Sequence, residues 1–264
     1  MSFREKALPT IFHNRVIEAA VELQRQSKAK FDNAPDDLVR GSLFVLTHDA
    51  VTVHRSIGTL AEAGWPAPAA ILLRTAMDLG ISAMAIVHST SPPMAAFRYF
   101  YAGFRRHSRD QGLSPATRKH MFDQIRKRIA LLPTELRPAA IAVVKEKDRP
   151  YWYGQEFETP STVLERFAPP GAAWVYSQLS GAAHGSFMGM RLYREEPDKI
   201  SINPEPLGRR AFFADLSSSR LLVDLCDLRN TIEGLDCGPL VSALRGEINN
   251  AAKELLEVGV PKRA

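Results

Sequence analysis

Two groups of residues have types and spacings that can do chemistry. Arg74 and Asp78 stand four residues apart in a stretch, 67–88, that is otherwise almost wholly apolar, with Ile71, Leu72, Leu73, Met77, Leu79 and Ile81 around them. That spacing puts a guanidinium and a carboxylate on one face of a helix. A helix apolar around nearly its whole circumference belongs in an interior, where ionised groups must be paired and hydrogen-bonded. Base before acid is the poorer order for a pair within one helix, so each residue is expected to find partners on other helices. Such a pair serves either as a structural clamp or as part of a ligand site, since arginine is suited to bidentate recognition of carboxylate or phosphate.

The second group lies on 172–191, AAWVYSQLSGAAHGSFMGMR. On a helical wheel Ser177, Ser180, His184 and Arg191 form one polar stripe, within about 40° of His184. Beside it run Gly181, Gly185 and Gly189. Glycine inside a helix costs up to about 1 kcal/mol relative to alanine, so three in register imply close approach of a neighbouring helix or of a ligand. His184 fits a satisfied core histidine or an acid–base group, because imidazole titrates near neutrality.

Periodicity, proline and glycine supply the elements that must position these residues. The apolar pattern predicts an all-α fold, a single multihelical bundle over 1–264, with helices near 4–30, 36–63, 68–88, 93–111, 115–131, 134–147, 161–167, 172–190, 210–233 and 239–258. Ser114-Pro115 and Thr159-Pro160 read as caps followed by a first-turn proline, and Gly64, Gly112 and Gly234 as stops. Residues 148–159, with Tyr151-Trp152-Tyr153-Gly154, form a loop unusually rich in aromatic residues. Weak alternation over 192–207, with Glu196-Pro197-Asp198-Lys199 as the turn, predicts a short β-hairpin. The helices over 210–258 are expected to pack on the rest.

At 264 residues and 45% hydrophobic the chain can bury a sizeable core. Two cysteines without zinc spacing indicate neither a disulfide framework nor a structural metal, and together with the mixed-charge N-terminus they point to a reducing cytoplasm. Stretch 67–88 is long enough to cross a membrane, but Arg74 and Asp78 near its centre favour a buried helix and no membrane. Between Arg98 and Arg128 nine basic residues face two acidic ones, a net charge of +7 within a chain of +5. That tract reads as a solvated helix surface or as a weak nucleic-acid contact. Phosphate-loop, dinucleotide, HExxH and GxSxG motifs are all absent, and His48 and His54, six apart on one helix, are poor joint metal ligands. No cofactor is expected.

The order Leu72-Leu73-Arg74-Thr75 with an acid at 78, then Tyr151-Trp152-Tyr153-Gly154, then Tyr176 with Ser180 and His184, resembles the helical family catalogued as domain of unknown function 5677, over about residues 40–220. The family pattern favours Glu where this chain has Asp78. The resemblance implies a helical fold in which Arg74, Asp78, Ser180 and His184 gather, and it implies no activity. Three functions follow as alternatives. The first is a binding or sensing module for a small anion, formed by Arg74, Asp78, Tyr176, Ser177, Ser180 and His184 under a lid of Trp152 and its neighbouring tyrosines. The second is a helical RNA-acting nuclease of toxin or defence type, using His184, Arg74 and Asp78. The spacing of Arg, four to six residues, then His that marks helical nucleotide-binding ribonucleases does not occur here. The third is a structural or interaction protein, including a homodimer.

Overall fold

Caps and prolines set the helix starts. Asp37 accepts from the backbone N–H of Val39 and Arg40 at 3.0 and 3.1 Å, Ser114 from Thr117 at 3.1 Å, and Thr159 from Thr162 at 3.3 Å. Prolines 115 and 160 occupy the first turns that follow the last two caps, where a fixed φ suits the helix and the missing N–H is not needed. Helix ends are equally local: Gly234 takes φ +59, the left-handed conformation glycine adopts without strain. Lys30 donates to the carbonyls of Glu233 and Gly234 there, neutralising the negative end of that helix.

The computed structural model describes residues 8–32, 37–63, 65–108, 113–145, 151–183, 193–196, 199–202 and 207–257. Among them are ten α-helices: α1 (Leu8–Asp32), α2 (Leu38–Glu62), α3 (Pro66–Val87), α4 (Pro92–Ser108), α5 (Pro115–Leu131), α6 (Arg137–Lys145), α7 (Pro160–Phe167), α8 (Ala172–Ala183), α9 (Leu207–Glu233) and α10 (Gly238–Glu257). A 3₁₀ turn, Thr134–Leu136, leads into α6. The fold is all-α. Strands β1 (Tyr193–Glu196) and β2 (Lys199–Ile202) pair antiparallel with Tyr193 opposite Ile202. Gly64, Gly112 and residues 184–192 lie outside the described residues.

Helices α2, α3 and α9 pack on one another at the centre, α1 covers α2 and α9, and α10 lies on α9. Leu23, Leu43, Leu46, Ile86, Leu222 and Leu244 make up much of this principal core. A second core, with Met77, Ile81, Tyr153, Val163, Leu164 and Tyr176, joins α3 to the aromatic loop, α7 and α8. A third, around Phe97, Ile125 and Leu132, unites α4, α5 and α6. Helix α3 is long and apolar enough over Pro68–Val87 to cross a membrane, by length and composition, and in the structure it packs against α2, α9 and α8. Its outward row carries Ile71, Thr75 and Asp78, so it is not enclosed on all sides as its composition predicts. Threonine and aspartate let one face of an otherwise apolar helix meet water at little cost.

Both cysteines are free and buried. Burial, above all, pushes the Cys226 thiol up to about 12, so it carries almost no reactive thiolate. Iodoacetamide at about pH 8 is expected to leave Cys226 unmodified in the native chain and to alkylate it in guanidinium. Native-state labelling at the denatured rate, read by peptide mass, would contradict this packing.

Candidate functional site

Helices α3 and α8 run antiparallel here, which brings the first chemical group onto the second. The Arg74 Nε–H donates to Ser180 Oγ at 2.7 Å. One of its terminal nitrogens donates to the Tyr176 hydroxyl, and the other pairs with the Asp78 carboxylate. Tyr176 in turn donates its O–H to Asp78 Oδ1 at 3.0 Å. The guanidinium also lies over the Tyr176 ring, 3.6 Å from its centroid, a cation–π contact that strengthens as water is removed. The result is a closed relay, Arg74 to Tyr176 to Asp78, with Ser180 fixing the guanidinium from the far side.

The two ends of the relay meet water very differently. The Arg74 side chain is 17% exposed and that of Asp78 51% exposed. The expectation that both are buried is therefore corrected: Arg74 is shielded, whereas Asp78 belongs to the outward row of α3. The carboxylate is still engaged twice, so it is not free in solvent. Tyr176 is buried, and burial first, then the Asp78 charge, raises its hydroxyl well above the ordinary phenol range. The same causes raise Tyr153, which is also buried. Both phenols stay neutral and able to donate.

Tyr153 is the loop residue whose phenol feels the charges of this pair, and nothing in the sequence singles it out from its neighbours. It is positioned by the turn in which Gly154 N–H donates to Tyr151 O at 3.1 Å and Phe157 N–H to Tyr153 O at 3.1 Å. A Cβ at 154 would stand 3.1 Å from that carbonyl, so glycine suits the turn. Glu158 takes φ 55 just before the Thr159 cap, a strained conformation for a residue with a Cβ. Glu156 anchors the loop to the α3–α4 junction, accepting from Ser89 Oγ at 2.7 Å and Thr90 N–H at 2.5 Å. Trp152 belongs to the packing of this loop. It is wedged between the principal and second cores, with its ring edge-on to Tyr99 and Tyr153, because an indole removes more apolar surface there than over a charged pair.

Ser177 is exposed on α8. His184, Gly185, Gly189 and Arg191 lie outside the described residues, and Gly181 lies in the last turn of α8. The structure thus joins Arg74, Asp78, Tyr176 and Ser180 directly.

Two further polar clusters are more deeply buried, and the sequence reading named neither as a site. Arg229 and Glu233, both fully buried, pair at 2.7 Å on α9, and Ser27 of α1 donates to Glu233 at 2.5 Å while accepting from Arg229. Both charged residues continue the buried stripe of Leu222 and Cys226 at intervals of three and four. That register was readable, but the half-buried charges Arg220, Asp224 and Asp227 on the same helix obscure it. The other cluster gathers His13, His54 and Asp215 from α1, α2 and α9.

Comparison with curated proteins and comparison with solved structures each find no match. A family model does match, over residues 43–201, a span that contains Arg74, Asp78, the aromatic loop, Tyr176 and Ser180. With more than half of its length matched, the chain belongs to the family of unknown function DUF5677.

Proposed function

We propose that the chain binds a small anion, a carboxylate or a phosphate, at Arg74, with Asp78 as an exchangeable counter-ion. The observation that carries this reading is the contrast in exposure, 17% against 51%, within one ion pair. Tyr176 and Ser180 keep the guanidinium in place whether or not the carboxylate stays. Asp78 sits on the surface in the poorer helical order, and an exposed pair of this kind is worth about 1 kcal/mol or less. An incoming anion can displace it at small cost and inherit a pre-oriented, partly desolvated guanidinium. In this reading Ser177 of α8 and His184, seven positions further along the sequence, add polar contacts to the bound anion. A membrane plays no part in it.

The test is titration calorimetry with inorganic phosphate and with succinate. Asp78→Asn, which removes the competitor, is expected to tighten binding about fivefold, the equivalent of that displaced pair. Arg74→Gln is expected to abolish it, and Arg74→Lys to weaken it strongly. Binding that survives Arg74→Gln, or that is no tighter in Asp78→Asn, defeats the reading.

A second reading is favoured by α5. Arg118, Phe122 and Arg126 follow one another at intervals of four and are all exposed, Phe122 to 53%, with Lys119 and Lys127 alongside. Cations flanking an exposed ring suit weak, sequence-tolerant contact with single-stranded nucleic acid. Anisotropy of a labelled RNA should then fall with salt and with Arg118→Glu/Arg126→Glu. The nuclease alternative adds cleavage at His184, and RNA degradation by pure protein that persists in His184→Ala eliminates that site assignment.

A further inference from the structure

The deep cluster between α1, α2 and α9 is built in a way that internal packing alone does not explain. His13 and His54 lie with ring centroids 4.0 Å apart, and the Nδ1 of His13 is 2.7 Å from the Asp215 carboxylate. His54 Nδ1 is 2.7 Å from Ser218 Oγ, and the Ser218 hydroxyl donates to the backbone carbonyl of Asp215 at 2.9 Å. A serine has one proton to give, and the carbonyl takes it. The Ser218 oxygen must therefore accept from His54 Nδ1–H, which fixes the tautomer and leaves Nε2 as a bare lone pair. That nitrogen is buried and has no hydrogen-bond partner, in a residue only 1% exposed. His13 offers the nitrogen already turned to the carboxylate, its Nδ1 at 2.7 Å from Asp215 Oδ1, so a cation taking the place of the shared proton would be held by both.

An imidazole held through Nδ1 by a hydroxyl oxygen, with its Nε2 lone pair unused, is the arrangement in which an outer oxygen orients a metal-ligating histidine. One potential ligand atom from each of His13, His54 and Asp215 lies within 4.8 Å of the other two. Tetrahedral ligands at about 2.1 Å from a zinc-sized ion are roughly 3.4 Å apart, so the three protein atoms need only draw together, with the fourth position left to a water. Room for His13 is provided by Gly58 of α2, where a Cβ would fall 2.6 Å from Nε2 and 2.8 Å from Nδ1.

We propose that His13, His54 and Asp215 form a structural site for one divalent transition-metal ion of the zinc class, tying α1 to α2 and α9. Imidazole with a carboxylate suits zinc, cobalt and nickel rather than calcium or magnesium. Burial of all three residues makes the ion a clamp rather than a catalyst. The expectation of no metal rested on cysteine and HExxH spacings within single segments, whereas this set comes from three helices. His54 was weighed there only with His48, its neighbour on the same helix.

The experiment uses the full chain, stripped with EDTA and equilibrated with zinc. It should retain one equivalent after dialysis, with a Tm that rises with the logarithm of free zinc. Cobalt in place of zinc should give the strong visible absorption of a low-symmetry site, reversed by EDTA. His54→Gln is expected to lose the bound equivalent, and the surface double variant His48→Gln/His120→Gln to keep it. If His54→Gln fails to fold, the cobalt spectrum of the parent chain decides. Absence of a stoichiometric metal and of that absorption overturns the site, as does full retention by folded His54→Gln.

Discussion

Arg229→Ala is expected to lower the free energy of unfolding by about 3 to 5 kcal/mol, the usual cost of stranding one member of a buried ion pair. Glu233 would be left without its cation, held only by Ser27 on α1 and sealed from water by α9 and its neighbours. One guanidinium nitrogen of Arg229, Nη1, is already without a hydrogen-bond partner among the described residues, so the pair is imperfectly compensated as it stands. For that reason replacing both charges should hurt less than replacing one. Arg229→Met combined with Glu233→Leu keeps the volume, removes both desolvation penalties and leaves only Ser27 to be satisfied. Urea unfolding checks the order: the double variant should be clearly more stable than Arg229→Ala. If Arg229→Ala costs under about 1 kcal/mol, the pair is not buried as described.

Gly58→Ala carries the second large effect, and its sign opposes helix propensity. In mid-helix alanine normally gains up to about 1 kcal/mol over glycine. At 58 the new methyl would press into the His13 ring at separations real Cβ atoms do not show, and that ring is confined by His54 and Asp215. The ring must move, at the cost of overpacking and of its bond to a buried carboxylate, together about 3 kcal/mol. Gly103 and Gly246 are the controls, since nothing stands within 4 Å of a Cβ at either position. Alanine there should stabilise, and thermal melts of the three variants should diverge in opposite directions. A Gly58→Ala protein as stable as the parent would mean that His13 does not rest against α2.

The sequence reading located the helices within a few residues because their signals are local: a cap at Ser114 or Thr159, a proline behind it, a glycine at 234. The gathering of Arg74 with Ser180 was implied only by the family resemblance, because contacts between helices depend on a topology that periodicity does not fix. The sequence reading misjudged the depth of Asp78. Composition sees that α3 is apolar all round, but which row is left uncovered depends on where α2, α8 and α9 lie. His13, His54 and Asp215 were out of reach altogether, because no periodicity links positions 13, 54 and 215.

The arrangement of α1 and α9 bears on the family as a whole. Residues 43–201 carry the shared pattern, yet the inward side of α2, from Leu43 to Val51, packs with Val16, Ala20 and Leu23 of α1 and with Leu222 and Val223 of α9, all beyond those limits. Homology and foldability therefore have different borders in this chain. Any relative that keeps only the common stretch must find other shelter for those leucines, whether from unrelated flanking helices or from another polypeptide.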